Sequence, residues 1–194
     1  MSLRSAADVA AAYATMGIYI FPLKVTDEQK MPLVKWGTES TTDPDTIRRW
    51  WTIWPDASIG VNCGKSGLVI VDLDVKEGKD GPGDWEKYLD GREVPHTFKV
   101  RTPSGGWHGW YRSVGVAYKT SRGEIGPGVD IRSHGGMAVA PGSPGYTWHG
   151  EAPLSLDDIP VMPKGVLPES NGTTGGHWRE LDESTLDLRD RAAL

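Results

Sequence analysis

The chain has 194 residues, of which 38% are hydrophobic, and its formal net charge is −5 at pH 7. No apolar run in the sequence is long enough to cross a membrane, which excludes a transmembrane protein and leaves the cytoplasm as the expected location. The single cysteine, Cys63, excludes an internal disulfide and a cysteine-based zinc site, so no zinc is expected. The negative net charge also argues against a domain that binds nucleic acid through the electrostatic attraction of its overall charge.

Helical and extended patterns alternate in the first third of the chain. Apolar residues at helical spacing predict a helix over residues 5–16, and an apolar run predicts a strand over 18–23. Residues 24–36 carry charges and a proline, and we expect a loop there. Asp43 as an N-cap, with a proline in the first turn, predicts a second helix that ends near Trp54.

Extended patterns dominate the middle of the chain. One more helix is predicted over residues 84–90. Turn residues separate seven predicted strands, over 58–62, 67–74, 97–102, 107–112, 129–132, 137–140 and 146–148. The strands at 129–132 and 137–140 are expected to pair with each other around Gly135 and Gly136. The predicted fold class is therefore α+β, with a largely antiparallel sheet and helices near the N-terminus.

The pattern weakens beyond residue 150. Repeated prolines, followed by the Asn171–Gly176 segment, predict a linker, and the charged residues 178–194 suit a short helix. We therefore predict one folded domain over residues 1–150 and a Pro/Gly-rich linker with a short helical tail over 151–194.

The strongest chemical signal is a pair of aspartates at the end of an apolar strand. Side chains alternate along a strand, so Asp72 and Asp74 share one face, roughly 7 Å apart. Both faces upstream are apolar, which predicts a central strand. Two carboxylates that project together repel each other, and a divalent cation such as Mg²⁺ or Mn²⁺ removes that repulsion. The alternative is a strand that runs into an acidic turn, with Asp74 as a cap.

A third carboxylate lies in the later strand 129–132. Alternation places Asp130 and Arg132 on one face, opposite Val129 and Ile131. An arginine suits phosphate because its planar fork donates paired hydrogen bonds, so this face is suited to a metal and the phosphate that the metal neutralises. The alternative is an ordinary surface ion pair.

A glycine-containing turn precedes the strand at 107–112. Within Arg101–His108, the glycines allow the backbone to approach a ligand closely, and successive amides of such a turn bind anions. Ser104 and His108 add donors for phosphate. The alternative is a hairpin turn with an incidental histidine.

Taken in order, the D-x-D strand, the S-x-x-x-H turn and the later D-x-R strand resemble a known family. They are similar to the bifunctional primase–polymerase domain of the archaeo-eukaryotic primase superfamily, as found in phage and plasmid replication proteins. The resemblance covers roughly residues 6–150. It extends to five further blocks, at residues 11–23, 30–33, 43–55, 59–74 and 135–148.

The resemblance implies an RNA-recognition-motif-like catalytic core, with N-terminal helices packed on it, that acts as a DNA primase and template-dependent DNA polymerase. It implies two divalent ions, Mg²⁺ or Mn²⁺, which catalyse nucleotidyl transfer together with His108. The implied metal ligands are Asp72, Asp74 and Asp130. The implied nucleotide ligands are His108, Ser104, Arg132, Arg101 and Lys30.

The implied partners are a single-stranded DNA template, a primer and NTPs or dNTPs. A helicase module, in a longer protein or in trans, is also expected, and the expected location is the cytoplasm of a bacterium or of a phage-infected cell. The chain departs from the family in two places. The segment 141–146 is shorter than the usual loop, and no cysteines are present for an inserted zinc element.

Two other functions fit parts of the pattern. A phosphatase of the haloacid dehalogenase type also begins with a strand that ends in D-x-D, but it normally carries a threonine two positions later, where this chain has Lys76. The second is a non-catalytic module that binds single strands at a replication origin. Phosphate release from a monoester favours the first, and binding without nucleotide incorporation favours the second.

Overall fold

A computed structural model describes residues 5–26 and 29–170 as an α+β fold with two antiparallel sheets, which confirms the predicted fold class. Its helices are α1 (Ala6–Thr15), α2 (Trp36–Glu39), α3 (Pro44–Ile53) and α4 (Gly81–Leu89), with a 3₁₀ turn at Leu156–Asp158. Its strands are β1 (Ile20–Val25), β2 (Lys30–Pro32), β3 (Ser58–Asn62), β4 (Leu68–Leu73), β5 (Phe98–Arg101), β6 (Trp107–Arg112), β7 (Ser121–Arg122), β8 (Val129–Arg132), β9 (Met137–Val139) and β10 (Thr147–His149).

The two longer N-terminal helices begin at side-chain caps. Ser5 and Asp8 form a capping box at the start of α1, and the Asp43 side chain accepts the Thr46 N–H at the start of α3. Each helix buries three residues at the i, i+3, i+4 spacing of one helix face. They are Ala10, Tyr13 and Ala14 in α1 and Ile47, Trp50 and Trp51 in α3. None of the helices in the described residues is long and apolar enough to cross a membrane.

The strands form a four-stranded and a six-stranded sheet. The four-stranded sheet has the order β2-β1-β3-β9, and the six-stranded sheet has the order β10-β5-β6-β4-β8-β7. Strand β4 lies inside the six-stranded sheet, between β6 and β8, as its continuous apolar run predicts. Helices α1 and α3 pack mainly on the four-stranded sheet, and Tyr13 of α1 reaches Trp110 on the other. The RNA-recognition-like character of the core stays a prediction.

The six-stranded sheet buries side chains on both faces. On one face, Leu68 and Ile70 join a core that also contains residues of α1, α3 and the four-stranded sheet. On the other face, Val69 and Val71 belong to a second core, beside α4 and residues 162–167. The alternation of β4 therefore assigns its aspartate at position 72 to the face that looks towards the four-stranded sheet.

Three of the predicted elements are corrected by the structure. Residues 24–36 were expected to form a loop, but β2 pairs with β1 there and α2 begins at Trp36. Helix α4 begins three residues before residue 84, because Asp80 caps it and Pro82 lies in its first turn. Strands β8 and β9 do not pair with each other, since β9 crosses to the other sheet and pairs with β3.

Residues 151–170 lie against the six-stranded sheet, where a linker was expected. Ile159 and Met162 are almost fully buried, and the Arg112 N–H donates to the Pro160 carbonyl. Apolar residues between the prolines account for this packing, which the proline spacing alone does not reveal. The division of the chain into two units at residue 150 stays a prediction, and the predicted helix over 178–194 lies outside the described residues.

Candidate active site

Three predicted site residues form a row across neighbouring strands. Asp72 of β4 is paired with His108 of β6 on one side and with Asp130 of β8 on the other. Directly paired residues of antiparallel strands point to the same face, with Cβ atoms about 5 Å apart. The sheet thus brings the Asp72 carboxylate together with the His108 imidazole, 36 residues later in the chain, and with the Asp130 carboxylate, 58 residues later.

Arg132 connects the two carboxylates of this row. Its Nη2 pairs with Oδ2 of Asp130 and lies 3.9 Å from Oδ2 of Asp72. The other Asp130 oxygen accepts a hydrogen bond of 3.0 Å from the Gly123 N–H. The Arg132 and Asp130 side chains are each 17% exposed, so they do not form the ordinary surface pair considered as an alternative. A positive group can therefore reach both carboxylates at once.

Asp74 lies just beyond the end of β4 and has a different partner. Its Oδ2 is 3.8 Å from the Lys79 Nζ. Its backbone is held on two sides, because the Asp74 N–H donates to the Gly128 carbonyl and the Gly81 N–H donates to the Asp74 carbonyl, each at 2.8 Å. The charges of Asp72 and Asp74 both favour protonation of His108, and the common face of the two carboxylates stays a prediction.

Two glycines allow this close approach at Asp74. A Cβ at Gly128 would lie 2.6 Å from the Cα of Gly81, and a Cβ at Gly81 would lie 2.7 Å from the Asp74 carbonyl oxygen. Because these neighbours are backbone atoms, they cannot rotate away. Neither glycine was predicted to position the site. The one signal for them is that Gly81 begins α4 and Gly128 immediately precedes the D-x-R strand.

We expect Gly128→Ala to displace the Asp74 backbone and to destabilise the fold by about 1–3 kcal/mol, as overpacking does. The free energy of unfolding from urea titration measures this loss. The matched control is Gly37→Ala, since nothing lies within 4 Å of a Cβ at Gly37, which sits in a short helix where alanine is favoured. Equal stabilities of the two variants would contradict the predicted clash.

His108 is buried at the centre of the site. Its side chain is 2% exposed, and Nε2 lies 3.5 Å from Oδ1 of Asp72. Its Nδ1 has no hydrogen-bond partner among the described residues, which is unusual for a buried polar atom. Burial lowers the pKa of His108 below its usual value, although the Asp72 charge opposes the shift. The imidazole is therefore neutral at neutral pH, and its Nδ1 is buried without a hydrogen-bond partner in the described part of the chain.

Tyr146 covers His108 and was not predicted to take part in the site. Its ring centroid is 5.7 Å from that of His108, and the Lys30 Nζ lies 5.9 Å from the same tyrosine ring. Burial and the charges of Asp72 and Asp74 raise the pKa of Tyr146 to about 12, so its hydroxyl stays protonated. Tyr146 lies in the last of the five blocks that extend the family resemblance, at residues 135–148, but the resemblance gives it no role.

Lys30 comes to the site from the other sheet. It begins β2, the edge strand of the four-stranded sheet, and its charge acts on His108 of the six-stranded sheet. The candidate site therefore lies where the two sheets face each other, with carboxylates on one wall and a lysine on the other. The prediction that Lys30 contacts the nucleotide stays a prediction.

The structure does not bring Arg101 into this group. Arg101 pairs with Trp107, one position from His108, so it points to the opposite face of the sheet. Its guanidinium lies 4.5 Å from the centre of the Trp107 ring. Ser104 is exposed in the turn between β5 and β6, where its Oγ lies 3.1 Å from the Thr102 Oγ1. Its predicted contact with phosphate stays a prediction.

A divalent ion such as Mg²⁺ requires several oxygen donors around one point. Within residues 5–26 and 29–170, no three His, Cys, Asp or Glu side chains converge closely enough to form a metal site. Asp72 and Asp130 nevertheless supply hard oxygen donors on one face, and the Arg132 guanidinium already places positive charge between them. These two carboxylates are of the chemical kind that a divalent cation takes, and Asp74 lies just beyond the end of the strand that carries Asp72.

The motifs and their placement can be compared with known proteins. A family model described as bifunctional DNA primase/polymerase, N-terminal, matches residues 10–164. No curated protein matches the chain significantly. The matched span is well over half of the 194 residues and contains every candidate site residue. The resemblance of the three ordered motifs is thus confirmed, and the chain belongs to the bifunctional DNA primase/polymerase family.

Proposed function

We propose that this chain synthesises primers and extends them on a single-stranded DNA template, by nucleotidyl transfer at the site between the two sheets. Membership of the family implies a nucleotidyltransferase that acts on DNA and nucleotides. The observation that carries the proposal is the row of His108, Asp72 and Asp130 across three neighbouring strands. Such a row holds anionic oxygen donors and a neutral imidazole on one rigid face.

In the proposed reaction, a 3′-hydroxyl oxygen loses its proton to water and attacks the α-phosphorus of a nucleoside triphosphate, and the bond from that phosphorus to the bridging oxygen of the β-phosphate breaks to release pyrophosphate. Two divalent ions, Mg²⁺ or Mn²⁺, would supply positive charge that stabilises the reacting phosphate when bound. Asp72 and Asp130 would hold these ions, with Asp74 as a further ligand. The protein contributes position and charge, and no covalent intermediate with a side chain is required.

The cationic side chains of the site are suited to the triphosphate. Arg132 offers a planar fork of donors for phosphate oxygens, and Lys30 adds a point charge from the facing sheet. The contact of His108 with the nucleotide stays a prediction, since its side chain is buried beside Tyr146. Because Tyr146 covers His108, the tyrosine ring and the nucleotide must meet at this wall of the cleft.

We expect Tyr146→Ala to lower kcat/KM for the nucleotide by about tenfold, because His108 loses the ring that orients it. Tyr146→Phe keeps the ring and should retain most of the activity. Separate values of kcat and KM are measured for both variants, with the melting temperature as a check of folding. If the folded alanine variant keeps the wild-type kcat/KM, Tyr146 has no part in positioning His108.

The proposal is tested by primer extension and de novo priming on single-stranded DNA, with NTPs and dNTPs and with Mg²⁺ or Mn²⁺. Template-dependent incorporation supports it. Phosphate release from a monoester without a template would instead favour the phosphatase alternative, and single-strand binding without incorporation would favour the origin-binding module. The helicase partner stays a prediction, to be tested by co-purification with replication proteins of the source cell.

A further inference from the structure

A groove lies on the other face of the six-stranded sheet, away from the candidate active site. It encloses about 490 Å³, within the range of pockets that hold small organic ligands. Its floor is formed by β5, β6 and β4, and its walls are formed by α4 and residues 94–97. The catalytic row points away from it, because side chains alternate along each strand.

Aromatic side chains are prominent in this groove. Trp107 and Tyr111 rise from β6, and Trp85 faces them from α4. Trp107 is flanked by two groups that commonly accompany stacked bases, since the Arg101 guanidinium lies 4.5 Å from its ring centre and the His149 ring lies 5.1 Å away. Partly exposed indole rings of this kind are platforms on which a nucleobase stacks whatever its sequence.

The charge of the groove contrasts with that of the chain. The titratable side chains that line it in the described part of the protein are Lys99, His96, His149 and Tyr111, with no carboxylate among the lining residues. The chain as a whole carries a formal net charge of −5. A surface without carboxylates in an acidic protein is complementary to a polyanion with exposed bases.

Gly109 keeps the floor of the groove open. It lies in β6 between Lys99 of β5 and Val71 of β4, which both line the groove. A Cβ at Gly109 would meet the Tyr111 ring at 3.4 Å and Thr97 at 3.5 Å, which is ordinary contact. A side chain at this position would therefore be tolerated, but its outer atoms would fill the space above the floor.

The groove begins at the end of the sheet that carries the candidate active site. Leu73, Trp107 and Arg101 are paired across β4, β6 and β5, one residue along from Asp72 and His108. One residue of strand is about 3.3 Å. The Trp107 indole is therefore close in sequence to the catalytic row but on the other face of the sheet.

We propose that this groove binds a single-stranded segment of the nucleic acid template, with bases stacked on Trp107 and phosphates near Lys99 and Arg101. The choice of ligand rests on the proposed function, whereas the site is separate from the catalytic row. The groove provides an aromatic surface with one lysine, Lys99, and no carboxylate among its described lining residues, as binding of a single strand requires.

The experiment is equilibrium binding of a fluorescently labelled oligo(dT) of about 20 nucleotides to the full chain, in EDTA so that no synthesis occurs. Gly109→Val fills the groove and should raise Kd at least tenfold. Lys99→Ala should reduce the slope of log K against log salt by about 0.7, the value for one phosphate contact on a single strand. The matched control is Lys164→Ala, an exposed lysine outside the groove, which should leave both quantities unchanged.

Two results separate this inference from the proposed function. Single-nucleotide addition by the wild-type chain, on a template that extends one base beyond the primer, tests the cleft alone because this substrate has no single-stranded segment to occupy the groove. Photo-crosslinking with 4-thiothymidine should label Trp107 or its neighbours. Unchanged Kd values for both folded groove variants, or crosslinks confined to the cleft residues, would overturn the groove assignment even in an active polymerase. If the wild-type chain binds the oligonucleotide but incorporates no nucleotide, the proposed function is contradicted and the groove assignment stands.

Discussion

Asp72→Asn is expected to reduce nucleotide incorporation by at least about a hundredfold. Outer partners of metal ligands cost roughly 10- to 100-fold when removed, and Asp72 is placed as a ligand itself. The substitution keeps the shape of the side chain but removes the charge that faces both His108 and Arg132. The rate of primer extension under saturating nucleotide measures the effect, and calorimetric titration with Mn²⁺ measures the loss of metal affinity independently.

The matched control for this change is Asp45→Asn. Asp45 also pairs with an arginine, Arg48, but on the exposed surface of α3, where such pairs contribute about 1 kcal/mol or less. Its loss should leave extension unchanged. A folded Asp72→Asn variant that extends primers at a rate near that of the wild type would show that the row across β6, β4 and β8 is not catalytic.

Arg132→Lys is expected to lower kcat/KM by roughly tenfold or more. Lysine keeps the charge but loses the paired hydrogen bonds of the guanidinium, at a cost of about 1.5–3 kcal/mol, and about 1.4 kcal/mol corresponds to a factor of ten. Because Arg132 contacts Asp130 and approaches Asp72, a purely structural role would affect stability instead. Steady-state kinetics and urea unfolding on the same protein distinguish the two.

The neighbouring carboxylate gives the companion measurement. Asp130→Asn should reduce catalysis in a way that added Mn²⁺ partly restores, whereas Arg132→Lys should not respond to added metal, since it is proposed to contact phosphate. If both variants are stable and extend primers at the wild-type rate, the D-x-R strand is only a structural element. If both lose stability equally and no kinetic difference remains, the ion pair serves the fold rather than the reaction.

The local elements were largely predictable because their signals are short in sequence. Asp43 and a following proline predicted α3, and the observed helix begins there. The apolar run before Asp72 predicted a central strand, and β4 has neighbours on both sides. The short edge strand β2 was missed, because its three residues, which begin at Lys30, carry no alternating pattern and are stabilised by pairing with β1.

The partners of the strands could not be predicted from the sequence. Met137 follows Arg132 closely, and a hairpin is the usual arrangement for two such strands. The chain instead crosses to the other sheet, where the Cys63 N–H donates to the Gly136 carbonyl and β9 pairs with β3. Pairing over more than seventy residues depends on the burial of both sheets around one core, and no local pattern records it.

The sequence by itself determined the direction of side chains along single strands, and from it we predicted which residues carry the chemistry. Alternation assigned Asp72 and Asp74 to one face and Asp130 and Arg132 to another. Only the tertiary structure decided which faces meet. The strand register brought His108 beside Asp72 and turned Arg101 to the opposite side, and sheet packing brought Lys30 and Tyr146 to the cleft. The physical reason is that side-chain direction is set locally by the backbone, whereas neighbours across strands and sheets are set by the burial of apolar surface over the whole domain.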